Sequence, residues 1–140
     1  MTVTALEEKL MDKRVAPTAM RLLVLDFLLQ QETAVSLADL EKNMAHSDRV
    51  TLYRTLKTFE EKGLAHRIED GTGTVKYALC DKSCDAGRHH DLHVHFYCSC
   101  CRETFCLPRS GIPAVKLPPG FREEEISLTV KGICAKCTQG

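Results

Sequence analysis

Apolar positions follow helical spacing as far as Gly63 and then change to short alternating runs. Thr4–Lys13 is a short helix candidate. Pro17-Thr18 opens a second helix, whose apolar face of Met20, Leu22, Leu23, Val24, Phe27 and Leu28 runs through Gln30. Ser36-Leu-Ala-Asp39 has the capping-box pattern, in which the Ser oxygen accepts from the first turn and the acid reaches back, so a third helix is predicted from there to about Asn43. Ser47 or Asp48 caps a fourth that continues to about Lys62, with Gly63 as its stop. Beyond Gly63, Leu64–Glu69 and Thr74–Leu79 flank the turn Asp70-Gly-Thr-Gly73 and predict a β-hairpin. Helices closed by a hairpin are the order of a winged helix-turn-helix, although a small α+β domain without a DNA role has the same order.

Cys80–Arg88 reads as a linker rich in Asp, Gly and Ser. After it come three strand candidates, His93–Cys98, Glu103–Leu107 and Glu125–Val130. Pro108, Pro113, Pro118 and Pro119 argue against a long helix between the last two. The expected architecture is therefore α+β. A winged-helix domain over 1–80 and a hinge over 81–92 precede a small α/β domain over 93–140.

Composition changes this picture little. Lys+Arg and Asp+Glu both number 19 in 140 residues, so net charge points to neither nucleic acid nor membrane, and DNA binding must rest on local placement. The N-terminal MTVTALEEKLMDKR has no apolar signal core, and no run approaches the ~18 apolar residues of a membrane span. A soluble, cytoplasmic protein without membrane contact is predicted. In that setting the eight cysteines suggest metal binding more than disulfides.

At 100° per residue the fourth helix turns Leu52, Leu56 and Phe59 inward. Arg54 lies opposite, with Val50, Thr51, Lys57 and Thr58 around it and Tyr53 on the flank. Such a stripe offers a guanidinium for guanine or phosphate, hydroxyls for phosphate and apolar groups for thymine methyls. Arg49, Thr51, Tyr53, Arg54 and Lys57 are the candidate DNA contacts; the alternative is a solvated helix face.

Cys98-Ser-Cys-Cys101 and Cys134-Ala-Lys-Cys137 are two Cys-x-x-Cys knuckles. Four thiolates complete a closed tetrahedral Zn²⁺ shell, which staples strands and leaves no position for chemistry. A disulfide switch is the alternative, and Cys100 could stand in for Cys98 or Cys101 at poorer spacing. His93 and His95 share one strand face, with Cys98 on the other. If the hairpin packs beside that strand, His66 and Cys80 can converge on the two histidines. One ion would then bridge the reading domain and the β domain and fix the angle between them. Without that packing they are two surface histidines.

"TAMRLLVLDFL", "VTLYRTLKTFEEKGLAHRIEDGTGTVKYAL", "HVHFYC" and "GICAKC" together resemble the ferric uptake regulator (Fur) family of metal-dependent repressors, over about residues 14–137. The resemblance implies a homodimer on a palindromic double-stranded operator near metal-uptake genes. It implies recognition by Tyr53 and Arg54, a structural zinc on Cys98, Cys101, Cys134 and Cys137, and a regulatory metal at the hinge that includes His93 and His95.

Iron and peroxide sensors of the family take a His where this chain has Ala34, and an acid near "KYALC". Zinc sensors resemble this chain in having Cys at the place of Cys80 and a ligand in the wing where His66 sits. Thiolate also favours Zn²⁺ over harder ions. The expected regulatory set is thus His66, Cys80, His93 and His95 with Zn²⁺ in preference to Fe²⁺ or Mn²⁺.

The chain departs from the family pattern in three places. Cys106 replaces a carboxylate ligand, and either joins the regulatory site, displacing His66, or is a buried thiol. The segment Cys84–His90 is long, so His89, His90 and Cys84 form either an extra weak site or a loop. A Pro-rich stretch, Pro108–Pro119, replaces most of the dimerisation helix. Outside the repressor class, a zinc hydrolase would need a placed general base that the sequence does not offer. A thiol redox protein would employ Cys84 and Cys100.

Overall fold

The computed structural model describes residues 2–44, 47–69, 71–79, 94–107, 115–124, 126 and 128–139. Helices α1 (Val3–Asp12), α2 (Ala19–Leu29), α3 (Leu37–Asn43) and α4 (Arg49–Glu61) come first, with a two-residue strand β1 (Val35–Ser36) before α3. The hairpin is β2 (Ala65–Glu69) and β3 (Val75–Leu79). Strands β4 (Val94–Cys98), β5 (Thr104–Leu107) and β6 (Thr129–Gly132) and a short helix α5 (Ala135–Gln139) follow.

Local chemistry accounts for the helix ends. Thr2 and Thr18 accept from the backbone N–H groups of Ala5 and Arg21. At α3 the predicted capping box forms in both directions, Asp39 N–H to Ser36 Oγ and Ser36 N–H to the Asp39 carboxylate, each at 3.1 Å. Asp48 is the N-cap residue of α4, though it makes no side-chain bond to the helix backbone. Gly63 ends that helix at φ 78°, a left-handed conformation that strains any residue with a Cβ.

The core lies among the helices and one face of the hairpin. Leu10, Leu25, Leu40, Leu52, Leu56 and Phe59 are fully buried there, against Ala65 and Tyr77. The three-stranded sheet runs β1-β3-β2, all antiparallel. β1 was not foreseen, because two residues carry no period; pairing with Tyr77 and Lys76 makes them a strand.

The second sheet runs β5-β4-β6, with β5 antiparallel and β6 parallel to β4. Its last strand corrects the predicted Glu125–Val130. Among the described residues it begins at Thr129, opposite His95, and ends at Gly132, opposite Cys98. The shift carries the chain directly into the second cysteine knuckle. Gly132 packs closely there: a Cβ would stand 3.1 Å from the Phe96 ring and would press it aside. Helix α5 was also not foreseen; five residues are too short for a helical period to show. Of the Pro-rich stretch, residues 115–120 are described and contain no helix, as its prolines predict. No helix among the described residues is long and apolar enough to cross a membrane.

The two sheets meet face to face. The hairpin's helix-side face carries Ala65 and Tyr77. Its other face carries His66, Ile68, Lys76 and Ala78, which are paired across β2 and β3. That face rests on the row His95, Tyr97, Thr104 and Cys106 of the second sheet.

Candidate metal centres and nucleic-acid face

Two clusters of metal-ligand side chains occur among the described residues, and in each the donor atoms lie within 4.8 Å of one another. The first is Cys98, Cys101, Cys134 and Cys137, the four thiols expected from their spacing. Cys98 is fully buried at the end of β4. A tight turn follows it, with Arg102 N–H bonded to the Cys98 carbonyl and Arg102 itself at φ 64°. The turn aims the Cys101 N–H at Cys98 Sγ (3.4 Å), and the Cys134 N–H reaches the same sulfur, also at 3.4 Å. These donors lower the Cys98 pKa to about 6, the Cys101 N–H having the largest effect. The Cys137 thiol is pushed up, chiefly by hydrogen bonding to Cys100 and Cys134 and then by burial. Cys100 is exposed and outside the four-thiol set.

The second cluster is His66, His95 and Cys106. His66 comes from β2 and is 6% exposed; His95 comes from β4, and Cys106 lies opposite it on β5. His95 Nε2 stands 3.3 Å from His66 Nε2, and Cys106 Sγ stands 3.6 Å from the same nitrogen. The two imidazole rings are tilted by 35° with centroids 5.4 Å apart.

These separations test whether a metal fits. A tetrahedral Zn²⁺ with bonds of about 2.1 Å to nitrogen and about 2.3 Å to sulfur sets two nitrogens about 3.4 Å apart, nitrogen and sulfur about 3.6 Å, and two sulfurs about 3.8 Å. The second cluster has 3.3 and 3.6 Å, and in the first Cys101 and Cys134 have their sulfurs 3.9 Å apart. Both donor sets fit one tetrahedral ion. Cys106 also lines an open cavity of about 200 Å³ with Leu28, Thr33, Ala34 and Tyr77.

Of the four ligands expected for a regulatory ion, His66 and His95 are brought together. Cys80 and His93 lie outside the described residues, as do His90, His89 and Cys84. Cys106 lies in the cluster beside His66 rather than in its place. It pairs with His95 across β4 and β5, and the hairpin delivers His66 to both at once. The position of Cys106, five residues after Cys101, was a signal in the sequence, but its pairing register was not.

The fourth helix turns Arg49, Val50, Thr51, Tyr53, Arg54 and Lys57 to solvent, with Val50 52% and Tyr53 44% exposed. The opposite stripe of Leu52, Thr55, Leu56 and Phe59 is buried. Thr55 keeps its hydroxyl on the Thr51 carbonyl at 2.9 Å. Arg49 reaches back to Glu41 of α3 at 2.7 Å, which braces the two helices of the turn. Arg49 is thus engaged within the protein, whereas the other candidates stand along one exposed face.

Residues 13–117 match the Ferric uptake regulator family. The chain belongs to that family. It is 32% identical over 94 residues to a ferric uptake regulation protein of Bordetella parapertussis, covering 64% of this chain and 62% of that one. A Neisseria meningitidis serogroup B protein of the same description is 32% identical over 91 residues, or 58% of its length. The match therefore spans about three fifths of these relatives.

Among solved structures, a zinc uptake regulator complexed with zinc and DNA superposes with TM-score 0.68 and 23% identity, covering 99% of this chain and 97% of that one. The ferric uptake regulator of Vibrio cholerae gives 0.61 and 22%, covering 91% and 98%. At these identities the likeness shows the fold. Members of the ferric uptake regulator family are transcriptional regulators, which sets aside the hydrolase and thiol-redox readings.

Proposed function

We propose that this protein is a zinc-responsive, DNA-binding repressor of metal-uptake genes, acting in the cytoplasm as a homodimer on a palindromic operator. The observation that carries the reading is the placement of His66, His95 and Cys106. One ligand sits on the hairpin that follows the recognition helix, and two sit on the second sheet. Zn²⁺ held there would tie the two together, with Cys80 and His93 as candidates for its remaining positions. The chemistry it supplies is cross-linking, so ion concentration becomes a restraint on the recognition helix.

The donor set supports zinc over iron or manganese. Two imidazoles and a thiolate suit a borderline-soft ion, whereas Mn²⁺ and Mg²⁺ favour oxygen. A second Zn²⁺ on Cys98, Cys101, Cys134 and Cys137 would have a structural role, joining β4 to the segment after β6. In the proposed division, residues 1–80 read DNA, 81–92 form the hinge, and 93–140 dimerise. Phe105, Phe96 and Val130 stand in register on the face of the second sheet turned away from the hairpin, and Val130 is 44% exposed, which suits a second copy. On the recognition helix Tyr53, Arg54, Thr51 and Lys57 contact the operator, with Arg49 at its edge.

Fluorescence anisotropy on a palindromic operator under buffered free metal tests this reading. The protein retains its cysteine-bound zinc while the second site is emptied. Tight binding restored by Zn²⁺ and not by Fe²⁺ or Mn²⁺ is expected. Restoration by Fe²⁺ or Mn²⁺ would make it an iron or manganese sensor, and binding indifferent to metal would sink the regulatory role of the cluster.

A further inference from the structure

Cys100 is the thiol of the first knuckle that stays outside the four-sulfur cluster, and it is exposed. Burial around it is graded. Cys98 and Cys134 are buried, Cys137 is half-buried, and Cys101 faces solvent. On the solvent side the Cys100 thiol is hydrogen-bonded to that of Cys137. An accessible sulfur with no ligand role therefore touches a sulfur of the metal set. Cys101 is exposed too, but its sulfur faces Cys134 at 3.9 Å across the place of the ion.

The two touching sulfurs are carried by segments of unequal stiffness. Ser99, next to Cys100, is fixed twice to the Gly132 carbonyl, by its N–H at 2.8 Å and by its hydroxyl at 3.2 Å. The Arg102 N–H closes the same turn onto the Cys98 carbonyl at 2.8 Å. Cys137 instead rides on α5, a helix of five residues that buries none of them. Bringing two touching sulfurs to bonding distance takes a shift of roughly 2 Å. Helix α5 can make that shift without opening the core.

We propose that Cys100 and Cys137 form a peroxide-driven thiol switch that withdraws one ligand from the four-cysteine zinc site. The Cys100 sulfur gives two electrons to the O–O bond of a hydroperoxide. That bond breaks, the distal oxygen stays on sulfur as a sulfenic acid, and the remainder leaves as an alcohol, or as water from hydrogen peroxide. The Cys137 sulfur then attacks the Cys100 sulfur. The S–O bond breaks, hydroxide leaves and takes a proton from solvent to become water, and a disulfide remains. A dithiol reductant returns the two electrons and restores both thiols.

The ion is left with Cys98, Cys101 and Cys134, and loss of one thiolate weakens such a site by about 100-fold. Each molecule reacts once per reduction, so this is a switch on a regulator and not thiol catalysis. Losing the tie between β4 and the segment after β6 would release the operator even where zinc is plentiful. The part of the proposal that concerns zinc rests on the structural-zinc reading above; the sulfur pair itself does not.

Protein with zinc on its four cysteines and the second site emptied would be treated with hydrogen peroxide. Mass spectrometry of peptides, after free thiols are blocked, maps the disulfides, and a chromophoric chelator reads released zinc. A Cys100–Cys137 disulfide is expected, with zinc release that dithiothreitol and added zinc reverse. Cys100→Ser is expected to bind zinc like the wild type before oxidant and to release it at least about 10-fold more slowly in peroxide. Operator affinity at saturating zinc is expected to fall about 10-fold or more in oxidised wild type and to hold in Cys100→Ser.

Disulfides among Cys98, Cys101 and Cys134 in place of this one would overturn the switch. So would equal rates of zinc release, or equal loss of operator affinity, in Cys100→Ser and wild type. Weaker zinc binding by Cys100→Ser before any oxidant would make Cys100 a ligand, which also overturns it. A wild type that takes no zinc on its four cysteines, yet forms the Cys100–Cys137 bond, would sustain the thiol pair and defeat the structural-zinc reading.

Discussion

Replacing Cys106 with Ala tests the second metal centre most directly. The substitution removes a half-buried thiol 3.6 Å from His66 Nε2 and leaves the two imidazoles 3.3 Å apart. Structural Zn²⁺ sites of four protein ligands bind with roughly 10–16 kcal/mol, or about 2.5–4 kcal/mol for each ligand. Loss of one thiolate is thus expected to weaken the site by about 3 kcal/mol, which is about two orders of magnitude in Kd. Competition against a chromophoric zinc chelator, with the cysteine-bound zinc held constant, measures the change. Operator affinity at limiting zinc is expected to fall with it, while binding at saturating zinc recovers. Cys106→Asp replaces sulfur by oxygen and is expected to shift preference towards Mn²⁺ and Fe²⁺. An unchanged zinc affinity in Cys106→Ala would refute the reasoning. The match between donor spacing and tetrahedral geometry would then be fortuitous, and the ion would lie elsewhere on His66 or His95.

Arg54→Ala is expected to cost roughly 1–3 kcal/mol of operator binding if the guanidinium reads a base, with a smaller loss on random DNA; equal losses on both, in the same anisotropy assay, would make it a phosphate contact. Phe59→Ala empties a fully buried position between α4 and the rest of the core and is expected to lower stability by about 3–5 kcal/mol in urea denaturation. Ser36→Ala removes one half of the α3 capping box and is expected to cost about 1 kcal/mol by the same method. Proton release on loading the cysteine site tests Cys98. With its pKa lowered to about 6, Cys98 is mostly thiolate at pH 7 and releases little of a proton, so fewer than four are expected by calorimetry in buffers of differing ionisation enthalpy. The same depression favours the folded form fully above the ordinary thiol range, and that contribution disappears as pH falls through about 6.

Much of the first half of this fold was legible from residues that act on their own neighbours. A Ser three residues before an Asp caps α3, Gly63 stops α4, and a 3.6-residue period divides that helix into a buried stripe and the exposed one bearing Tyr53 and Arg54. The cluster of Cys98, Cys101, Cys134 and Cys137 was legible for a related reason, since each knuckle is a local turn whose spacing suits one ion. Strand β6 shows where local reading ends. Alternation alone placed it over Glu125–Val130, and only parallel pairing with β4 moves it to Thr129–Gly132.

The second metal cluster and the contact of Lys76 with Thr104 belong to the same class. His66 and Cys106 are 40 positions apart, and Lys76 and Thr104 are 28 apart. Nothing near any of these four along the chain fixes its partner. The sequence by itself determined which side chains have metal affinity and which helix face is polar, because those properties are carried by single residues and short periods. Tertiary structure decided that Cys106 stands with His66 and His95, and that a lysine rather than an apolar side chain joins the sheets. Those facts depend on strand register and on two sheets meeting face to face, and a shift of one residue in either would turn every one of these side chains away.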